Sequence, residues 1–208
     1  MKLVTQEFEA PGDPERVAAV SALILGRTKT LRDKRVLDLA CRTGSFSRAL
    51  AANGAIVTGI EGKVENFSQI PETENAIFVQ DDVRNLSPEK YGHFDITLCL
   101  GILYHLDADD ACKLLCDIRA VTTDFAIIDT HIGAPEATVE LGDVPYSGSW
   151  FDEGVPGPWS SIGNQRSFWF TAESLHDLVR SAGWTGVEVI SDTWWSGDPE
   201  NRYRIVVS

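Results

Sequence analysis

Apolar positions along this chain fall into short continuous runs that alternate with stretches of helical spacing. Runs at 35–40 (RVLDLA), 55–60 (AIVTGI), 76–80, 94–100 (FDITLCL) and 125–130 (FAIIDT) read as strands. Between them, Phe46, Ala49 and Leu50 share one face of a helix over 45–53 that stops at Gly54. Ala111, Leu114, Leu115 and Ile118 share one face of a helix over 107–120, and a weaker helix is predicted at 64–70. An earlier helix opens at Asp13-Pro14, carries Val17, Val20 and Ile24 inward, and has Gly26 as its stop. Strands apolar throughout and separated by helices predict a parallel sheet buried on both faces, joined by right-handed crossovers.

The rhythm breaks after 131. The next 35 or so residues are rich in Gly, Pro, Ser and Trp, and read as a long functional loop or lid. Tyr146, Trp150, Phe151, Trp159, Phe168 and Trp169 make it too aromatic for disorder. Thr171 then caps a helix with Leu175, Leu178 and Val179 inward. Apolar segments at 187–190 and 203–207 predict a terminal antiparallel pair. The chain divides into an N-terminal helical segment (1–34), a core (35–131), an insert (132–170) and a C-terminal helix with two strands (171–208), within one domain.

With 208 residues, 43% of them apolar and 24% charged, the composition is that of a soluble globular domain. The first residues lack the apolar stretch of a signal peptide, and four thinly spread cysteines suit a reducing compartment. A cytoplasmic location is therefore expected. The net charge of −13 repels phosphate backbones, so nucleic acid is disfavoured as a partner, and no membrane association is expected. Oligomeric state is not legible.

Three acids follow three successive strands. Asp38 precedes a loop of small residues and a helix that begins near Gly44. The strict G-x-G-x-x-G spacing is absent, since Ala40 and Arg42 hold its first two places. That turn suits a ligand with an ammonium end better than a diphosphate, although it also reads as an ordinary strand-to-helix turn. Glu61 stands where a carboxylate accepts from ribose hydroxyls, or is a solvated loop acid. Asp82-Val83 suits an adenine ring and its amino group, or Asp81 and Asp82 are solvated charges.

The segments VLDLACRTGSF (36–46), VTGIEG (57–62), QDDVRNL (80–86) and FDITLCLGILYHL (94–106), in this order, resemble the class I S-adenosylmethionine-dependent methyltransferases. The resemblance covers 35–130 plus TAESLHDLVRSAGW (171–184) and the terminal strands. It implies a Rossmann-like α/β fold with a seven-stranded, mostly parallel sheet, its last strand antiparallel, helices on both faces and an insert after the fifth strand. It also implies S-adenosylmethionine across the C-terminal strand ends. Asp38 and the 40–44 loop (Ala40, Cys41, Arg42, Gly44) would then hold the methionine end. Glu61 with Gly62 would hold the ribose, Asp82 with Val83 the adenine, and backbone at Leu100 and Gly101 would face the cofactor. Family members commonly carry Gly where this chain has Arg42. Asn66, DTH at 129–131 and RSFW at 166–169 bring the chain nearer a subgroup acting on small metabolites or on wobble uridine of tRNA.

The implied activity is methyl transfer to an O or N atom of a small molecule. The alternatives are a tRNA wobble-uridine enzyme, or a cofactor-fold domain that transfers nothing. A protonated acceptor needs a base. His131 is the preferred candidate, with Asp129 as its orienter or a second base, and His105 the next; Asp152 and Glu153 serve if the insert folds over the cleft. Tyr104, Trp150, Trp159 and Trp169 are candidate walls of the acceptor site, and Arg166 a partner for an acceptor carboxylate. Asp129 and His131 find no third ligand after the fourth strand, so no metal is expected.

Overall fold

A computed structural model describes residues 13–154, 160–195 and 197–208. In chain order the elements are α1 (Asp13–Thr28), β1 (Arg35–Leu39), α2 (Ser45–Ala52), β2 (Ile56–Glu61), α3 (Val64–Phe67), β3 (Ala76–Gln80), α4 (Pro88–Tyr91) and β4 (Phe94–Leu100). There follow α5 (Ala108–Val121), β5 (Thr122–His131), β6 (Ala137–Leu141), β7 (Val144–Asp152), β8 (Arg166–Phe170), α6 (Ala172–Ser181), β9 (Val187–Val189) and β10 (Arg202–Val207).

The main sheet has seven strands in the order β3-β2-β1-β4-β5-β10-β9. Strands β1 to β5 pair in parallel, and β10 runs antiparallel to both β5 and β9. Adjacent residues of β1 point to opposite faces and both are buried. Val36 joins Val20, Ile24, Leu50 and Ile96 under α1 and α2. Leu37 joins Leu114, Leu115, Ile118 and Leu178 under α5 and α6. Strand order reverses between β1 and β4, which opens a crevice at the C-terminal ends of these strands. None of the described helices is long and apolar enough to cross a membrane.

The elements depart from the sequence reading most clearly in three places. α1 runs past Gly26 to Thr28, and Lys29, at φ +64°, takes the left-handed place after it. α3 ends at Phe67, short of 70, because Pro71 lies just beyond. The segment read as a long loop is largely an antiparallel sheet, β6-β7-β8, packed by Tyr146, Phe168 and Phe170 onto the α5–α6 face. Its hairpin turns on Gly142-Asp143, with Gly142 at φ +63°.

Candidate functional site

The turn between β1 and α2 is built from left-handed backbone. Ala40 (φ +52°), Arg42 (φ +55°) and Gly44 (φ +77°) all have positive φ, and Gly44 caps α2. A side chain in that conformation costs about 1–2 kcal/mol, a strain that clusters at ligand sites. Arg42 thus keeps the backbone shape that glycine would supply freely. The turn is pinned to β2 by the Cys41 amide donating to the Ile60 carbonyl at 2.9 Å. Its α2 end is closed by the Gly44 amide on the Cys41 carbonyl at 2.8 Å.

Each of the three acids is fixed by its own turn. Asp38 is buried and accepts from the Ser47 hydroxyl at 2.6 Å. Burial, with a smaller push from the Glu61 charge, raises its carboxyl to about 6. Glu61 accepts the backbone amides of Arg42 (2.9 Å) and Lys63 (2.8 Å), with Asn66 Nδ2 at 3.4 Å. It therefore ties the β1 turn to the end of β2. Asp82 caps the 3-10 turn Val83–Asn85 by accepting the Arg84 amide at 2.9 Å, and its other oxygen meets Arg84 Nη1 at 2.8 Å. Asp81 turns away to Lys90, Tyr91 and Asn85.

These carboxylates line one cleft. Ala40, Cys41, Arg42, Gly62, Val83, Leu100 and Gly101 line it with them. Gly44 does not; its part is the bend itself, with Phe78 3.0 Å from where a Cβ would stand. Gly101 (φ +95°) donates its amide to the Asp129 carbonyl at 2.8 Å, which fixes the backbone after β4. The cleft also contains Arg16, Phe46, Lys63, Arg84 and Arg202, none of which the sequence reading placed at a site. Arg202 had a visible signal, since Arg202 and Arg204 alternate in an otherwise apolar terminal strand and so share one face.

The insert borders the cleft and braces the turn after β4. Its groups hold three successive carbonyls of the turn after β4. Trp169 Nε1 donates to Tyr104 O (2.9 Å), Asn164 Nδ2 to His105 O (3.0 Å) and the Phe168 amide to Leu106 O (2.9 Å). Residues 160–162 cross the cleft beside Glu61 and Asp82, where Arg84 Nη2 donates to Ile162 O at 2.9 Å and Lys63 Nζ to Ser160 Oγ at 3.1 Å. Tyr104 and His105 line the cleft, and His105 Nδ1 lies 3.0 Å from Glu153 Oε2. Burial lowers the His105 pKa, and Glu153 opposes that shift.

Several expected acceptor-side residues lie elsewhere. His131 stacks on Trp169 (ring centroids 4.9 Å apart) and meets the edge of Tyr104 at 4.5 Å, behind the cleft wall. Its Nδ1 pairs with Asn201 Oδ1 at 2.9 Å, so Asp129 is not its orienter. Asp129 is fully buried among arginines. Arg202 Nε and Nη2 reach its two oxygens at 2.6 and 2.8 Å, Arg16 Nη2 lies at 3.1 Å and Arg204 Nε at 3.2 Å. With every face taken, it is placed as neither a base nor a metal ligand. Trp150 and Arg166 stack on each other at 4.0 Å over a separate cleft between the insert sheet and the start of α5. Trp169 supports the Tyr104 turn and does not line the cleft. Trp159 lies outside the described residues.

Comparison with known proteins agrees with this fold. Residues 36–124 match the methyltransferase domain family. The ubiquinone biosynthesis O-methyltransferase of Yersinia pestis (strain Pestoides F) is 30% identical over 88 residues, 40% of this chain and 36% of that protein. The match therefore spans about a third of the relative's length. The N-terminal domain of EvdMO1, solved with S-adenosylhomocysteine bound, superposes with a TM-score of 0.73 at 26% identity, over 96% of this chain and 80% of that one. Magnesium protoporphyrin IX methyltransferase from Synechocystis PCC 6803, solved with bound S-adenosylmethionine, gives 0.64 at 14% identity, over 97% and 86%, a likeness of fold. Residues 36–124 thus match the methyltransferase domain family, and the chain carries the Rossmann-like α/β fold of the class I S-adenosylmethionine-dependent methyltransferases.

Proposed function

We propose that this chain binds S-adenosylmethionine across the C-terminal ends of β1 to β4 and transfers its methyl group to an O or N atom of a small molecule. The observation that carries this reading is the meeting of Asp38, Glu61 and Asp82 in one cleft at the sheet's switch point. When bound, the cofactor supplies an electrophilic methyl group on a sulfonium.

The residues present suit such a ligand. Asp38 is a buried carboxylate that accepts from the Ser47 hydroxyl, and a ligand ammonium would compensate its charge. The bend at 40–44 lets a ligand approach backbone closely. Glu61 Oε2 has one amide donor and so an acceptor site left for a ribose hydroxyl. Asp82 Oδ1 and the buried Val83 offer an acceptor and an apolar face to adenine. Arg16 and Arg202 narrow the cleft from the α1 and β10 sides.

The solved EvdMO1 domain, also studied in the presence of S-adenosylhomocysteine and D-fucose, supports a small, hydroxyl-bearing acceptor. The O-methyltransferase name of the Yersinia relative favours oxygen. The net charge of −13 weighs against tRNA.

Isothermal titration with S-adenosylmethionine, S-adenosylhomocysteine and NAD tests the cofactor reading. Micromolar-range binding of the first two and none of the third is expected. A panel of sugars, phenols and carboxylic acids, with bulk tRNA as a separate arm, is then screened by mass for gain of a methyl group. Absence of adenosyl-ligand binding, or methylation of the tRNA arm alone, overturns the reading.

A further inference from the structure

The insert brings one ionisable side chain into contact with a residue of the cleft, and that contact has the form of a proton-transfer pair. Glu153, just past β7, has a side chain only 4% exposed. Its two carboxylate oxygens lie 3.0 and 3.2 Å from His105 Nδ1, and Oε2 also accepts the Ser161 amide at 2.9 Å. The backbone carbonyl of His105 accepts from Asn164 Nδ2, and its ring packs against Tyr104, whose ring centroid is 4.4 Å away. We infer that His105 is the general base of the reaction and that Glu153 is the positioning residue that fixes its tautomer.

The chemistry follows from the contact. A carboxylate accepts hydrogen bonds, so it selects the imidazole that carries its proton on Nδ1 and leaves Nε2 with a lone pair. That nitrogen belongs to a residue lining the cleft on the turn after β4, beside the crevice between β1 and β4. In the reaction the acceptor hydroxyl gives its proton to Nε2 as its oxygen bonds to the methyl carbon. The carbon–sulfur bond breaks, with its electron pair left on the now neutral thioether. The resulting imidazolium is stabilised by Glu153 and returns its proton to solvent. A base that serves this step must be neutral at working pH. Burial lowers the His105 pKa, the charges of Lys63 and Arg202 act in the same direction, and Glu153 opposes them; His131 and Tyr104 are the other titratable groups beside the ring.

The inference rests on the proposed methyl transfer, and its first test needs no acceptor. In the S-adenosylhomocysteine complex of the full chain at pH 7.5, nitrogen-15 NMR of the histidine rings should show His105 protonated on Nδ1 and bare on Nε2. Glu153→Gln should lower the His105 pKa and mix the tautomers. A ring protonated on Nε2, or one indifferent to Glu153→Gln, overturns the inference whatever the screen returns. With the acceptor found in the screen, at saturating cofactor, His105→Asn should lower kcat about 100-fold or more. Glu153→Gln should lower it by a smaller factor with KM little changed, and the double variant should be no slower than His105→Asn. S-adenosylhomocysteine affinity should stay within twofold in all three. The acidic limb of the kcat profile should vanish in His105→Asn; a limb that persists, or unchanged kcat, overturns the assignment. Loss of cofactor binding in the wild-type chain would count against the methyl-transfer reading instead.

Discussion

Arg202 grips Asp129 with two nitrogens, Nε on one carboxylate oxygen at 2.6 Å and Nη2 on the other at 2.8 Å. Arg16 from α1 shares the second oxygen, so one fully buried carboxylate joins α1, β5 and β10 beneath the cleft. Removing one partner of a buried pair leaves the other charges uncompensated. Asp129→Asn should therefore cost about 3–5 kcal/mol of stability, or at least about 6–12 °C in Tm for a chain of this size. Urea unfolding with and without S-adenosylhomocysteine measures this. A variant that kept its stability and lost only turnover would restore Asp129 as a base.

Asp38 yields a pH prediction. Its folded carboxyl titrates near 6, above the ordinary 3.8, so the native state binds a proton more tightly than the unfolded chain. The stability this group contributes is greatest below pH 4, falls as pH rises toward 6, and is flat above. Two pKa units amount to about 3 kcal/mol. Asp38→Asn should therefore raise the Tm of the free protein at pH 7.5, where the wild type holds a buried charge. If Asp38 accepts the ligand ammonium, S-adenosylhomocysteine affinity should drop about tenfold per unit below pH 6, and that dependence should vanish in Asp38→Asn. Calorimetry between pH 5 and 8 reads both. Affinity that is level across this range, with Asp38→Asn binding normally, would remove Asp38 from the ligand.

The doubly buried strands and their acidic ends were legible because a parallel strand shows its burial in consecutive apolar residues, and each acid follows such a run. The insert was not. Alternation in ATVEL and a Gly-Asp turn did signal a hairpin, yet Pro145, Gly148 and two serines masked it. Pro145 is tolerated one residue into β7, and Gly148 because Trp169 O and the Phe168 ring occupy the place of a Cβ. Pairings distant in sequence were beyond periodicity altogether. Nothing local says that His105 meets Glu153, or that Asn201 reaches His131. A histidine after a strand reads the same whether its ring lines the cleft or stacks behind it.

Glu61 ties two turns together, and in the proposed reading it also accepts from the ribose. Glu61→Gln keeps the shape but sets an amide NH2 against the Arg42 or the Lys63 amide, so one donor faces another. S-adenosylhomocysteine affinity should fall by about 1–3 kcal/mol, measured by titration, while adenine-end contacts at Asp82 and Val83 stay intact. Unchanged affinity would remove Glu61 from the ribose.

Trp169 is expected to separate binding from turnover. Its indole N–H holds the Tyr104 carbonyl, while its ring stacks on Phe151 and His131. Trp169→Phe keeps an aromatic ring between those neighbours and deletes the hydrogen bond. Two of the three ties to the turn after β4 remain, from Asn164 and Phe168. Stability should therefore fall by only about 1 kcal/mol, seen in chemical denaturation. The carboxylates at Asp38, Glu61 and Asp82 lie on other turns, so S-adenosylhomocysteine affinity should stay within about twofold, under 0.5 kcal/mol. Tyr104 and His105 lose a restraint on their backbone, and turnover of a methylated acceptor should fall well beyond twofold, since a displacement of about 1 Å at reacting groups costs on the order of 100-fold. Cofactor affinity that fell together with turnover would mean that the insert holds the whole cleft in shape, including the adenosyl side.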